Sequence, residues 1–143
     1  MIYLEKINEH NFRESFSLKV AEHQRKFVAT VPVALARAYV YRESAEALAV
    51  YHNHTMIEFV LIREQDNAYI IDQFMIDERY QGKGYGKEAM RIVIERLRTP
   101  RKWGKIILCY CEDDYIARNL YKALGFRNTG ERDEDEIIME LIL

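Results

Sequence analysis

Residues that staple or break a chain are scarce: two cysteines, two prolines, six glycines and one tryptophan among 143 residues. With so little proline and glycine there is no linker, repeat or low-complexity stretch, and one domain spanning residues 1–143 is expected. That length buries a core without disulfides or metal. Cys109 and Cys111 stand two apart in an apolar run, too close along the chain for a comfortable disulfide and wrongly spaced for a CxxC motif. A buried structural pair is the expectation for them. The four histidines, His10, His23, His52 and His54, form no recognised metal pattern, and His52 and His54 flank Asn53 in what reads as an exposed turn. No metal is expected.

Charge of one sign is lacking too. A formal net charge of −2 leaves no basic footprint for nucleic acid. No apolar run approaches the ~20 residues of a membrane span, and the first residues have neither the apolar core nor the cleavage site of a signal peptide. A cytoplasmic address is therefore expected. What is present is 49% apolar and 31% charged residues, the balance of an ordinary soluble globular protein.

The periodicity of the apolar residues gives the elements. Residues 2–6 alternate and read as a strand. Phe12, Phe16 and Val20 recur every four residues, which predicts a helix that extends to about Val28. Pro32 suits the opening of a second helix with Ala34, Leu35, Ala38 and Tyr39 on its apolar side. Residues 47–51, 56–63 and 69–76 are rich in β-branched and aromatic side chains. His52-Asn53-His54-Thr55 and Gln65-Asp66-Asn67 separate them as turns, predicting three consecutive antiparallel strands. A helix with Met90, Val93, Ile94 and Leu97 on one face stops before Pro100. Residues 105–111 form a nearly continuous apolar run, as in the middle of a sheet. Residues 114–124 read as a helix with Ile116, Leu120 and Leu124 inward, closed by Gly125. Residues 126–131 and 137–143 make a hairpin around the charged run 132–136, which reads as a solvated tip. The expected fold is α+β, a mixed, mainly antiparallel sheet flanked by helices in the order β-α-α-β-β-β-α-β-α-β-β.

The local pattern that points to chemistry is Gln81-Gly82-Lys83-Gly84-Tyr85-Gly86-Lys87, between a strand and a helix. Three glycines in five residues let backbone N–H groups converge, and the following helix adds the positive end of its dipole. The combination suits a phosphate. A Walker A loop is excluded, because Gln81 and Glu88 stand where it needs Gly and Ser or Thr. A dinucleotide fingerprint is excluded because Lys87 replaces its last glycine and the preceding strands are antiparallel.

With Gln81, Gly84 and Gly86 the loop resembles the Gln/Arg-x-x-Gly-x-Gly/Ala signature of the GCN5-related N-acetyltransferases. Ala117, Leu120, Tyr121, Gly125 and Phe126 resemble that family's second signature, and the predicted element order is similar to the family fold. Within it, the stretch from Asp72 through Gln81 looks most like the bacterial spermine/spermidine acetyltransferases. The resemblance implies transfer of an acetyl group from acetyl-CoA to a small amine, a polyamine by the subfamily match, and a possible homodimer. The alternatives are the same reaction on a protein N-terminus, a lysine or an aminoglycoside, or a non-catalytic acyl-CoA sensor.

The resemblance also implies roles. Gln81, Gly82, Lys83, Gly84, Tyr85, Gly86 and Lys87 would hold the diphosphate of CoA, and Phe74, Met75 and Ile76 would pair their backbone with the pantetheine arm. Asp114 stands where the family has Asn. It can accept a hydrogen bond or cap its helix, and cannot donate a bond while ionised. Tyr121 would be the general acid for the leaving thiolate, the alternative being plain core packing. Asp72 sits in an apolar run whose alternation puts it on the face of Phe74 and Ile76, and would receive the proton of the substrate amine. Its other reading is a solvated carboxylate on the outer face of a strand.

Overall fold

In the computed structural model, which describes residues 1–100 and 102–143, both predicted turns close hairpins. Asn53 and His54 (φ 49° and 76°) join β2 (Ala45–His52) to β3 (Thr55–Gln65), and Asp66 and Asn67 (φ 51° and 60°) join β3 to β4 (Ala68–Ile76). Asn and Asp tolerate the left-handed region because their short side chains can bond the local backbone. With β1 (Ile2–Lys6) paired to β2, these strands form an antiparallel half-sheet. The chain crosses through α3 (Tyr85–Arg98) to β5 (Lys105–Cys111), which lies parallel to β4. Helix α4 (Tyr115–Ala123) then leads to the hairpin of β6 (Arg127–Asp133) and β7 (Glu136–Ile142). Among the described residues the seven strands run in the order β1-β2-β3-β4-β5-β7-β6, and β4–β5 is the one parallel pair. The fold is the α+β layer arrangement that the sequence predicts.

Each face of the sheet buries its own apolar layer. One packs Val60, Ile71, Ile106 and Leu108 against Met90, Val93, Ile94 and Leu97 of α3 and Tyr121 of α4. The other packs Phe59, Leu61 and Met75 against Leu18, Val20 and the buried Val31 and Ala34 of α2 (Val31–Val40). No described helix is long and apolar enough to cross a membrane.

The structure corrects five local expectations. The first helix, α1, covers only Phe12–Ser15, and a 3-10 turn over Glu22–Gln24 follows instead of a helix to Val28. Ser15 and Ser17 turn their hydroxyls onto the carbonyls of Phe12 and Glu14, which competes with continued helix. Phe16 is 48% exposed, while Leu18 and Val20 point inward at a spacing of two. In α2, Tyr39 is exposed, because the helix packs on the sheet through Val31, Ala34, Leu35 and Ala38. In α4, Ile116 is 61% exposed, so the inward row is Ala117, Leu120, Tyr121 and Leu124. Cys109 is exposed and Cys111 partly so, not a buried pair. Beyond the stretch where β4 covers it, β5 turns that edge to an open cleft. The tip of the last hairpin is also tighter than read: Asp133 pairs with Glu136 across a turn containing Glu134 at φ 54°.

Candidate active site

Between β4 and β5 the sheet comes apart. Their register runs only from Tyr69↔Ile106 to Ile71↔Leu108, so β4 beyond Ile71 has no strand beside it on that edge. Which backbone groups face the gap follows from the other edge. The Asp77 N–H donates to the carbonyl of Ile57 at 2.9 Å, so Ile76 and its partner Glu58 are a pair that does not bond to each other. In an antiparallel ladder such a pair turns its own N–H and C=O outward, and alternation gives Phe74 the same orientation. Phe74 and Ile76 therefore present backbone polar groups to the gap, whereas Met75 bonds toward β3. The Ile76 carbonyl is taken by the Gln81 amide at 2.9 Å, which also bonds Gln24 at 2.9 Å.

The glycine loop sits at the end of this gap. Gly82 and Gly84 have φ of 76° and 84°, and a Cβ on either would meet nothing within 4 Å. From residue 82 to 87 no N–H has a hydrogen-bond partner outside α3 among the described residues, as expected of a helix start. Gly86 differs. Its Cβ would lie 2.4 Å from Cδ1 of Ile76, so this glycine lets α3 press onto β4. Tyr85 opens α3 and packs against His52, ring centroids 4.7 Å apart and planes tilted by 33°. Lys83 is exposed and Lys87 partly buried. Open space, unpaired N–H groups and two lysines fit a diphosphate.

Tyr121 forms the floor. It is 7% exposed, packs its ring against Tyr110 and Phe126, and has no hydrogen-bond partner on its hydroxyl among the described residues. Burial, then the nearby Asp114 carboxylate, pushes this phenol far above its ordinary pKa, so it holds its proton throughout the physiological range. Asp114 is the N-cap of α4, its Oδ1 accepting from the Ala117 N–H at 3.1 Å. Capping is thus one use the structure makes of it.

Asp72 lines the cleft of about 420 Å³, together with Tyr121, Gln73, Phe74, Cys109 and Glu136. The register steps from Leu61↔Gln73 to Ile62↔Ile71, which leaves Asp72 opposite no residue, as a bulge. Alternation breaks there: Ile71 belongs to the layer under α3 and Met75 to the layer under α2. Asp72 goes with the α2 side, where its Oδ2 accepts from Arg63 Nε at 3.0 Å and lies 3.6 Å from Arg37. It does not share a face with Phe74 and Ile76, because the bulge resets the pleat. It is also no solvated outer carboxylate.

Three polar residues near the site carry no motif. Gln73 is buried and donates to the Ala29 carbonyl at 2.6 Å, fixing the wall of the cleft. Asp77 is 1% exposed. Burial alone would raise its pKa, but bonds from the Arg79 guanidinium and from the N–H groups of Arg79 and Lys19 outweigh it and hold the carboxyl below its ordinary value. It clamps the chain after α1 to the end of β4. Glu136 belongs to the run read as a solvated tip, yet β7 carries it into the cleft opposite Cys111. Only the β5–β7 register could have found it. Burial and neighbouring carboxylates push both cysteine thiols up, so they stay protonated. Among the described residues no group of three or more His, Cys, Asp or Glu could hold a metal ion.

Comparison with known proteins bears on the family and the fold. The spermine/spermidine N(1)-acetyltransferase of Bacillus subtilis is 28% identical over 92% of this chain and 91% of its own. The structure superposes on spermidine N-acetyltransferase from Vibrio cholerae in complex with CoA and spermine, at a TM-score of 0.80, 17% identity and coverage of 99% and 95%. It superposes also on the ribosomal-protein-S18-alanine N-acetyltransferase of Escherichia coli, at 0.76, 20% identity and coverage of 99% and 94%. Those two likenesses concern the fold, and the two proteins acetylate different acceptors. The model of the acetyltransferase (GNAT) family matches residues 4–126, and the chain belongs to that family.

Proposed function

We propose that the protein transfers the acetyl group of acetyl-CoA to a primary amine by direct attack, and that the amine is a polyamine such as spermine or spermidine. The observation that carries the reading is the gap between β4 and β5, with outward backbone groups on one wall, unpaired N–H groups at its end and an unpartnered phenol on its floor. Acetyl-CoA supplies a thioester carbonyl open to a neutral amine. The N–H groups of residues 82–87 hold the diphosphate, helped by Lys83 and Lys87. Phe74 and Ile76 bond the pantetheine arm as a neighbouring strand would, and the Ile76 N–H polarises the carbonyl. Tyr121, held protonated by burial, gives its proton to the departing sulfur.

An alkylammonium is only about one part in a thousand neutral at pH 7, a cost near 4–5 kcal/mol, and the proton it loses before attack passes to a cleft carboxylate or to water. The polyamine assignment is supported by the B. subtilis relative and by carboxylates along the cleft, Asp72, Asp114 and Glu136.

A panel of amines assayed by release of the CoA thiol tests the proposal. Spermine is expected to exceed a monoamine with a neutral tail in kcat/KM, with the advantage shrinking as salt screens the cleft. Tyr121→Phe keeps the ring packing and is expected to lower kcat by ~10²–10⁴-fold. Unchanged kcat in that variant, with the fold intact, would return Tyr121 to a packing role. Equal rates on spermine and the monoamine, insensitive to salt, would remove the polyamine assignment alone.

A further inference from the structure

The carboxylates of the cleft differ in what already neutralises them. Asp72 is matched twice, by Arg63 at 3.0 Å and Arg37 at 3.6 Å. Asp114 spends Oδ1 on the first turn of α4. Glu136, at the start of β7, has neither a cation nor a hydrogen-bond donor on its carboxylate among the described residues. It is nonetheless partly buried among like charges: burial first, then Asp133, Asp135, Asp72 and Glu134, push it above the ordinary glutamate range. The cation of the hairpin tip, Arg132, is committed to Glu112 at 2.7 Å and to the Glu134 carbonyl. Crowded like charges with no counter-ion leave a site whose field is relieved by a cation from outside.

Tyr121 gives an independent reason to expect a ligand in the same cleft. Its ring is buried, while its hydroxyl, which has no hydrogen-bond partner among the described residues, opens into the cleft where a ligand can reach it. The volume, about 420 Å³, lies in the range of small-molecule sites. The other titratable groups lining the cleft are Arg37 on α2, Asp72 on β4, Cys109, Tyr110 and Cys111 on β5, Asp114 at the start of α4 and Tyr121 on it. Arg37 is the one cation among them, and Asp72 holds it.

We infer that Glu136 is the specificity-determining residue of the acceptor site, its carboxylate receiving an alkylammonium group of the incoming amine. The assignment rests on the acetyltransferase reading of the cleft, and it replaces the matched Asp72 by an unmatched carboxylate as the partner of the substrate's charge.

The test reads binding and not turnover: spermine is titrated calorimetrically into the protein saturated with CoA. Glu136→Gln, nearly isosteric, is expected to weaken spermine by about 10-fold or more, as for loss of a charge-assisted hydrogen bond. Its CoA affinity should not move, and its melting temperature should not fall, since the variant removes a crowded charge. Glu136→Asp, which keeps the charge, should retain part of the affinity. Asp135→Asn removes a charge of the same cluster that lies outside the cleft, and should cost less than about threefold. Spermine affinity within twofold of wild type in Glu136→Gln overturns the assignment. So does an equal loss in Asp135→Asn, which would trace the effect to the field of the cluster, and so does a wild-type CoA complex that takes up no spermine. Binding that depends on Glu136 in a protein transferring no acetyl to any amine would uphold this assignment while removing the enzymatic one.

Discussion

At Gly84 the backbone turns at φ 84° into open space, whereas a Cβ two residues on, at Gly86, would collide with Ile76. The signature spacing makes the two glycines look alike, and the contacts separate them. Gly84→Ala pays roughly 1–2 kcal/mol for the left-handed backbone and puts a methyl where phosphate would approach, so acetyl-CoA affinity should fall by about tenfold or more. Gly86→Ala overpacks the seam between α3 and β4, which typically costs about 1–3 kcal/mol. It should lower the melting temperature with the smaller effect on affinity in the folded protein. Calorimetry of binding beside thermal melts checks the split, and the reverse pattern would move the diphosphate away from this loop. Tyr121 was readable only through its Leu-Tyr-x-x-x-Gly-Phe frame, since ten tyrosines make any one of them unremarkable.

Among the elements, the long, strongly periodic ones were legible: α3, β5 and the two Asn/Asp hairpins appear where the pattern puts them. The chain between α1 and α2 was not. Its apolar residues four apart imitate a helix, but its course is set from outside. Lys19 donates its N–H to Asp77 and accepts from the Glu78 N–H, bonds that no local pattern encodes. Helix α4 makes the opposite case, its start being set by one local side chain. Asp114→Ala removes the cap and should destabilise the protein by about 1 kcal/mol, lowering the melting temperature by a few degrees, while Asp114→Asn should not. No loss in the alanine variant would mean that the cap bond to Ala117 contributes nothing.

Across the whole molecule, the buried carboxyl of Glu58 ties stability to pH. It is 0% exposed beneath α3, and neither oxygen has a hydrogen-bond partner among the described residues. Burial, and then the Glu88 charge, raises its pKa well above the ordinary value. Between the unfolded pKa of ~4.3 and the raised folded one, the folded state binds more protons than the unfolded. Stability must therefore fall as pH rises through that window, by at most ~1.4 kcal/mol per pH unit. Glu58→Met removes the group, so its melting temperature should exceed that of wild type by a margin that widens from pH 5 to pH 8. A margin independent of pH would show that Glu58 does not titrate in this range.

The sequence by itself determined what depends on near neighbours: the strand and helix periods, the hairpin turns, the glycine loop at a helix start, and the frame around Tyr121. These follow from φ/ψ preference and side-chain period, which act over a few residues. Only the tertiary structure decided the charge map of the cleft. The bulge at Asp72 swung it to Arg63 and Arg37, and the β5–β7 register brought Glu136 in from a charged run that looked like a solvated tip. Whether a carboxylate is matched or left free depends on contacts between elements far apart in sequence, 35 residues from Arg37 on α2 to Asp72 on β4 in the one case. Coulomb interactions take no account of sequence separation, so no local pattern could record them.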